Sequence, residues 1–129
     1  ALRALAALAH DVGLDTLVEI RDEHELDAAL AADARVIGVN NRNLETLVID
    51  LAVGEALVPR IPAHVPAVFE SGIQGPAEVA RAARAGADAV LVGSSVSEAA
   101  DPAAAVRALA ALPLVAHPRR AGSPRAALG

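Results

Sequence analysis

Four short apolar runs in this chain end in groups able to do acid–base or anion chemistry. The first ends near Glu19, the second at Asn40 with Arg42 two residues on, the third at Glu70-Ser71-Gly72, and the fourth at Gly93-Ser94. A carboxylate, an amide and a guanidinium at converging strand ends can act as base, orienting group and anion clamp. The two glycine–serine turns suit a different task. Bare backbone amides where a strand gives way to a short helix attract phosphate. Each feature also has a plain reading: Glu19 as a solvated strand end, and "NNRN" at 40–43 as a turn or an Asx cap. One absence limits the chemistry. All 11 basic residues are arginine, so this chain supplies no amine as acid, base or Schiff-base partner.

The elements that must position these groups are legible from pattern. "TLVEI" (16–20), "RVIGVN" (35–40), "PAVFES" (66–71) and "AVLVGS" (89–94) read as buried strands, because they are nearly continuous in aliphatic or β-branched residues. Helices alternate with them. Asp22 is an expected N-cap with Glu25 at capping-box spacing, and Asp101-Pro102 opens the last helix in the same manner. Pro76 opens another helix that ends at Gly86, and a weaker helix starts at Asp50 and stops near "VPRIP". The first residues form a helix ending at Gly13, and "SSVSEA" (94–99) suits a short extra helix.

Apolar strands alternating with helices imply a parallel sheet covered by helices, an α/β fold. The polar strand ends at Glu19, Asn40, Glu70 and Gly93 are separated by 21, 30 and 23 residues. A closed eight-unit barrel of ~250 residues averages about thirty per unit, so this chain holds about half of one. Period-two alternation puts Leu17 with Glu19, and Val36, Gly38, Asn40 and Arg42 together, on the inward face, with Val18, Ile20, Ile37 and Val39 towards the helices. Residues 1–112 are expected to form the half barrel. Residues 113–129, rich in proline, glycine and arginine, are expected to be a loose tail without a site.

Bulk composition excludes several classes. The hydrophobic fraction of 54% is high, yet no apolar run approaches the ~20 residues of a membrane span, and a secretory signal is not expected. A formal charge of −5 with no basic aromatic patch argues against nucleic acid. There is no cysteine, and His10, His24, His64 and His117 lack ligand spacing, so no metal or other cofactor is expected. A cytoplasmic location is the expectation.

Taken together, "LVEIRDEHEL", "VIGVNNRNLETLVID", "FESGIQGPAEVARAARAGADAVLVGSS" and "DPAAAVRAL" resemble the C-terminal half of indole-3-glycerol phosphate synthase, over about residues 1 to 112. "GVNNRNL" followed thirty residues later by "ESGI" and then "LVGSS" is specific, whereas "GADAVLVG" occurs in many phosphate-binding barrels. The resemblance implies strands five to eight of a TIM-type (β/α)8 barrel. It also implies a reaction of tryptophan biosynthesis, in which 1-(o-carboxyphenylamino)-1-deoxyribulose 5-phosphate closes its ring with loss of carbon dioxide and water. On that resemblance Glu19 is the catalytic carboxylate and general base, and Asn40 and Arg42 are the substrate-orienting pair. Glu70, Ser71 and Leu91 belong to the substrate wall, and Gly72, Gly93 and Ser94 to the phosphate cradle.

Arg21 stands where the family often has histidine, and "SVSEA" replaces a commoner Leu-Met run. The larger departure is the absence of the family's lysine general acid, its second lysine and its strand-one carboxylate, all carried by early strands. Loss of such an acid costs ~10²–10⁴ in rate, so negligible synthase activity is expected of this polypeptide alone. Open strand edges are expected to drive it to self-associate or to pair with an early-strand half barrel. Two alternatives remain at this point. One is a related phosphate-binding isomerase of tryptophan or histidine biosynthesis, against which "NNRNL" counts; the other is a non-catalytic half barrel that only binds phosphate ligands.

Overall fold

A computed structural model describes residues 1–113 and 117–120. Helix α1 (Leu2–Asp11) leads into strand β1 (Val18–Ile20), followed by α2 (Glu23–Ala31), β2 (Ile37–Asn40) and α3 (Leu51–Leu57). A 3-10 turn at Val58–Arg60 precedes β3 (Ala67–Glu70), α4 (Pro76–Ala85) and β4 (Ala89–Leu91). The short α5 (Ser94–Ser97), α6 (Pro102–Ala110) and a 3-10 turn at Pro118–Arg120 complete the order.

The local signals act where they were expected. Asp22 accepts from the Glu25 amide at 2.8 Å, Asp50 from Ala52 at 3.0 Å and Asp101 from Ala104 at 3.0 Å, each satisfying a helix-start donor. Glu25 differs from a standard capping box. Its carboxylate accepts the amide of Arg21, one residue before the cap, and pairs with the Arg21 guanidinium at 2.8 Å. Gly86 closes α4 in the left-handed conformation, φ 98°.

The four strands form one parallel sheet in the order β1-β2-β3-β4. Each is shorter than the run read from the sequence, β1 and β2 beginning two residues later and β4 ending three residues earlier. Ile20, Ile37, Val39, Ala67 and Phe69 point to the helix side and are at most 1% exposed. They pack against Leu26 and Ala29 of α2, Leu57 at the end of α3 and Val58 just after it, and Ala82 and Ala85 of α4. The opposite face carries Leu17, Glu19, Gly38, Asn40, Val68, Glu70, Ala89 and Leu91, as period-two alternation requires. Among the described residues no helix covers the sheet here. Leu17 remains 43% and Leu91 52% exposed, the condition of a barrel interior seen from its open side. A half barrel of α/β class is thus what the chain forms.

Most of the expected loose tail lies outside the described residues. Within it, residues 117–120 are fastened rather than loose. The Arg119 guanidinium donates to the carbonyls of Gly86 (2.8 Å), Ile61 (3.0 Å), Pro62 (2.9 Å) and Val65 (3.1 Å), and pairs with Asp88. Composition hid this contact, because its acceptors are main-chain groups far away in the sequence. No helix among the described residues is long and apolar enough to cross a membrane.

Candidate active site

Strand register, which no local pattern reveals, assembles the site. Asn40 pairs with Glu70 across β2 and β3, and Glu70 with Leu91 across β3 and β4, so these three lie in one row. Glu19 sits one inward layer below, level with Gly38. All point to the uncovered face at the C-terminal ends of parallel strands, where α/β folds place their chemistry.

A polar network joins them. The Asn40 amide donates to the Glu19 carboxylate at 3.5 Å, a long contact. Its carbonyl oxygen accepts from the Ser71 hydroxyl at 2.8 Å and from the Arg42 main-chain N–H at 3.0 Å. Asn40 is 8% exposed and Glu70 2% exposed. The Glu70 carboxyl is pushed up to about 7, first by burial, then by hydrogen bonding with Glu19 and by that neighbour's negative charge. One of its oxygens, Oε1, has no hydrogen-bond partner. Near neutral pH this group can therefore carry a proton.

Backbone shape holds the rim. Ser71 and Gly72 both take positive φ, 67° and 84°. A non-glycine residue there is strained, and such strain tends to collect at functional sites. At Gly72 a Cβ would also approach Leu51 to 2.7 Å and Ile49 to 2.8 Å. The side chain of Ser95 donates to the Ile73 carbonyl at 2.8 Å, tying the turn after β4 to the turn after β3. The two glycine–serine turns are thereby neighbours. Gly93 faces open space, where an added Cβ would meet nothing within 4 Å, and Ser94, which opens α5, is exposed.

Arg42 lies just past β2, where it bridges to Ile49 in an antiparallel pair. Together with Asn40, Arg21, Asn43 and Glu45 it lines a cleft of about 600 Å³. The structure thus brings Glu19, Asn40, Glu70 and Ser71 into one network, with Leu91 in the same row. Arg42 joins it through its backbone, with its guanidinium in the adjoining cleft. In "NNRN" the Asx cap falls to Asn43, whose carbonyl oxygen accepts from Glu45 (2.9 Å) and Thr46 (3.0 Å).

Three supporting residues were not singled out from the sequence. Asn41, 2% exposed, points to the helix side. It donates to the Glu70 and Ser71 carbonyls at 2.8 and 3.2 Å and accepts from the Gly54 amide at 2.8 Å. Strand alternation does put it opposite Asn40, and a polar residue on a buried face is the signal that could have found it. Gly38 and Ser95 are the other two, and both matter only through partners on distant strands.

Comparison with known proteins bears on this arrangement. The family model for indole-3-glycerol phosphate synthase matches residues 1–109. Indole-3-glycerol phosphate synthase 1 of Streptomyces coelicolor is 49% identical over 111 residues, covering 86% of this chain and 41% of the relative. The synthase of Kineococcus radiotolerans is 49% identical over 118 residues, covering 92% and 42%. That of Azospirillum brasilense is 48% identical over 99 residues, covering 77% and 38%. The chain therefore spans about two-fifths of the length of these relatives, in their C-terminal portion. Among solved structures, a chain of the Amycolatopsis orientalis BexX/CysO complex superposes with a TM-score of 0.65 at 23% identity, which bears on fold alone. The match covers 99% of this chain and 49% of that one. With the family model matched over residues 1–109 and relatives close to half identical over the same stretch, this chain belongs to the indole-3-glycerol phosphate synthase family.

Proposed function

We propose that the chain carries the late-strand half of an indole-3-glycerol phosphate synthase site, the half that orients substrate and supplies the base. The observation that carries this reading is the Glu19–Asn40–Ser71 network beside Glu70, on the uncovered face of residues matched to the family. The reaction closes the ring of 1-(o-carboxyphenylamino)-1-deoxyribulose 5-phosphate, a carboxy-lyase step that releases carbon dioxide and water. It needs an acid at the carbonyl, a base for dehydration, and anchors for carboxylate and phosphate.

Glu19, exposed towards the uncovered interior, is the base. Asn40, held between Glu19 and Ser71, fixes the substrate's polar atoms relative to that base, and the Arg42 guanidinium clamps its carboxylate. Glu70, Ser71 and Leu91 form the wall beside the reacting ring. The turns at Gly72 and Gly93-Ser94, joined through Ser95 and Ile73, cradle the phosphate with backbone amides. The acid at the carbonyl is a lysine, which this chain does not contain. It comes from an early-strand half barrel, in the same polypeptide or in a separate one.

The test mixes this 129-residue chain with an early-strand half of a family relative and follows the fluorescence of the indole product. The expected result is turnover that needs both halves and falls ~10²-fold or more with Glu19→Gln. Should mixed halves form a complex that binds substrate without turnover, the chain would be a binding module and the proposal would fail.

A further inference from the structure

Gly38 lies in the middle of β2, where glycine weakens a strand and packs nothing. Its backbone does not call for glycine, since the positive-φ glycines are Gly13, Gly72 and Gly86. Its position explains it. Gly38 is level with Glu19 on one side and Val68 on the other, on the inward face. A Cβ at residue 38 would lie 1.9 Å from Glu70 Oε1, 2.6 Å from Glu70 Cδ and 3.3 Å from Leu17 Cδ1. The space that a side chain would fill is taken by the carboxyl of Glu70, which starts one layer higher, opposite Asn40.

We propose that Gly38 is a positioning residue of the site, whose missing side chain is the seat that turns the Glu70 carboxyl down the sheet towards Glu19. The seat explains why Glu70 is 2% exposed although half of the barrel interior is open. Among the described residues, Glu19 from β1 is the charged group that bears on Glu70. The neighbours contributed by β2 on this face are Gly38 and Asn40, β4 presents Ala89 and Leu91, and Asn41 meets only the Glu70 main chain from the helix side; all of them are neutral. A larger residue at 38 would push the carboxyl outwards into the interior, away from Glu19 and into water. The catalytic consequence rests on the synthase reading above; the seat itself does not.

The experiment is a ¹³C NMR titration of glutamate-labelled protein, with Glu70→Gln assigning the signal, in the unsubstituted chain and in Gly38→Ala, with thermal melting of both and of Gly38→Ala/Glu70→Asp. The Glu70 midpoint is expected at about 7 in the unsubstituted chain. In Gly38→Ala it should fall by about one unit or more, as burial is relieved. Melting gives a second readout with a clear sign. Glycine to alanine in an unobstructed strand stabilises, so a lower Tm in Gly38→Ala at pH 5, where the Glu70 carboxyl stays protonated and gains little by moving into water, reports the collision. Asp, one methylene shorter, should restore part of that Tm in the double variant, and this comparison stands even where Gly38→Ala alone unfolds.

An unchanged midpoint together with a raised Tm would overturn the proposal, as would a double variant no more stable than Gly38→Ala. In the two-half enzyme, displacement of the carboxyl should lower kcat at least tenfold with little change in KM. If the unsubstituted halves show no turnover while the midpoint and Tm shift as stated, the synthase reading fails and the seat remains.

Discussion

The side-chain amide of Asn41 donates to the main-chain carbonyl of Glu70 at 2.8 Å, joining the end of β2 to the end of β3 beneath the site. Its other end accepts the Gly54 amide at 2.8 Å, which locks α3 onto the same junction. Gly54 must be bare for this, because a Cβ there would lie 2.3 Å from Phe69 and 2.8 Å from Asn41 Oδ1. Asn40 and Asn41 are therefore neighbours with different surroundings, one on the uncovered face and the other facing the core.

Substitution should separate them. Asn41→Ala strands a buried amide and removes a donor from two carbonyls, so it should cost about 2–4 kcal/mol in urea unfolding. Asn40→Ala, on the open face, should cost about 1 kcal/mol or less and instead abolish turnover in the two-half enzyme. Equal losses of stability would contradict the division of labour.

Glu70 gives a pH dependence with a definite sign. Its folded carboxyl lies at about 7, above the ordinary carboxylate value of the unfolded chain. The native state therefore holds the proton more tightly over that interval, and stability falls as pH rises through it. The contribution is fully present below the unfolded value and lost above about 7. Glu70→Gln should remove this slope. Relative to the unsubstituted chain, it should gain about 1–3 kcal/mol in going from pH 4 to pH 8, read by urea unfolding at several pH values. Parallel stability curves would show that Glu70 titrates as an ordinary carboxylate.

What could be read without a structure was what is decided locally. The caps at Asp22, Asp50 and Asp101 and the left-handed stop at Gly86 depend on a few adjacent residues, so their letters suffice. Strand alternation likewise separates Glu19 and Asn40 from Ile37 and Val39. Register does not work this way. That Asn40, Glu70 and Leu91 share a row depends on which strands pair and with what offset. For the same reason Gly38 reads as a weak point in a strand until Glu70 is seen lying over it. The tail looked featureless because Arg119 binds carbonyls, which every residue has.

Arg119 should prove a principal fastening of the end of the barrel opposite the site. Its side chain is 2% exposed, and Asp88, its partner, also accepts the Ala67 amide at 2.8 Å where β3 begins. Arg119→Ala would leave several carbonyls and a largely buried carboxylate to find new partners, at a cost of about 2–4 kcal/mol. Arg119→Lys should recover only part of this, because one ammonium lacks the reach of a planar fork. Urea unfolding checks both, and Glu70 titration should not move in either. A neutral Arg119→Ala would mean that the contact forms without stabilising the fold.

Among the described residues β1 pairs only with β2, and β4 only with β3, so two strands offer unpaired main-chain groups. Leu17 and Leu91 stand half-exposed beside them on the inward face. Unpaired edges next to apolar surface promote association at micromolar to millimolar concentrations. The chain alone should therefore sediment above its 13.0 kDa, increasingly so with concentration. Leu17→Lys with Leu91→Lys should shift it back towards the monomer, since charge on a sheet's inward face opposes stacking and closure. An early-strand half barrel should compete with self-association, because it covers the same face and pairs the same edges. A monomer at every concentration, unaffected by the added half, would remove the driving force by which the proposed site is completed.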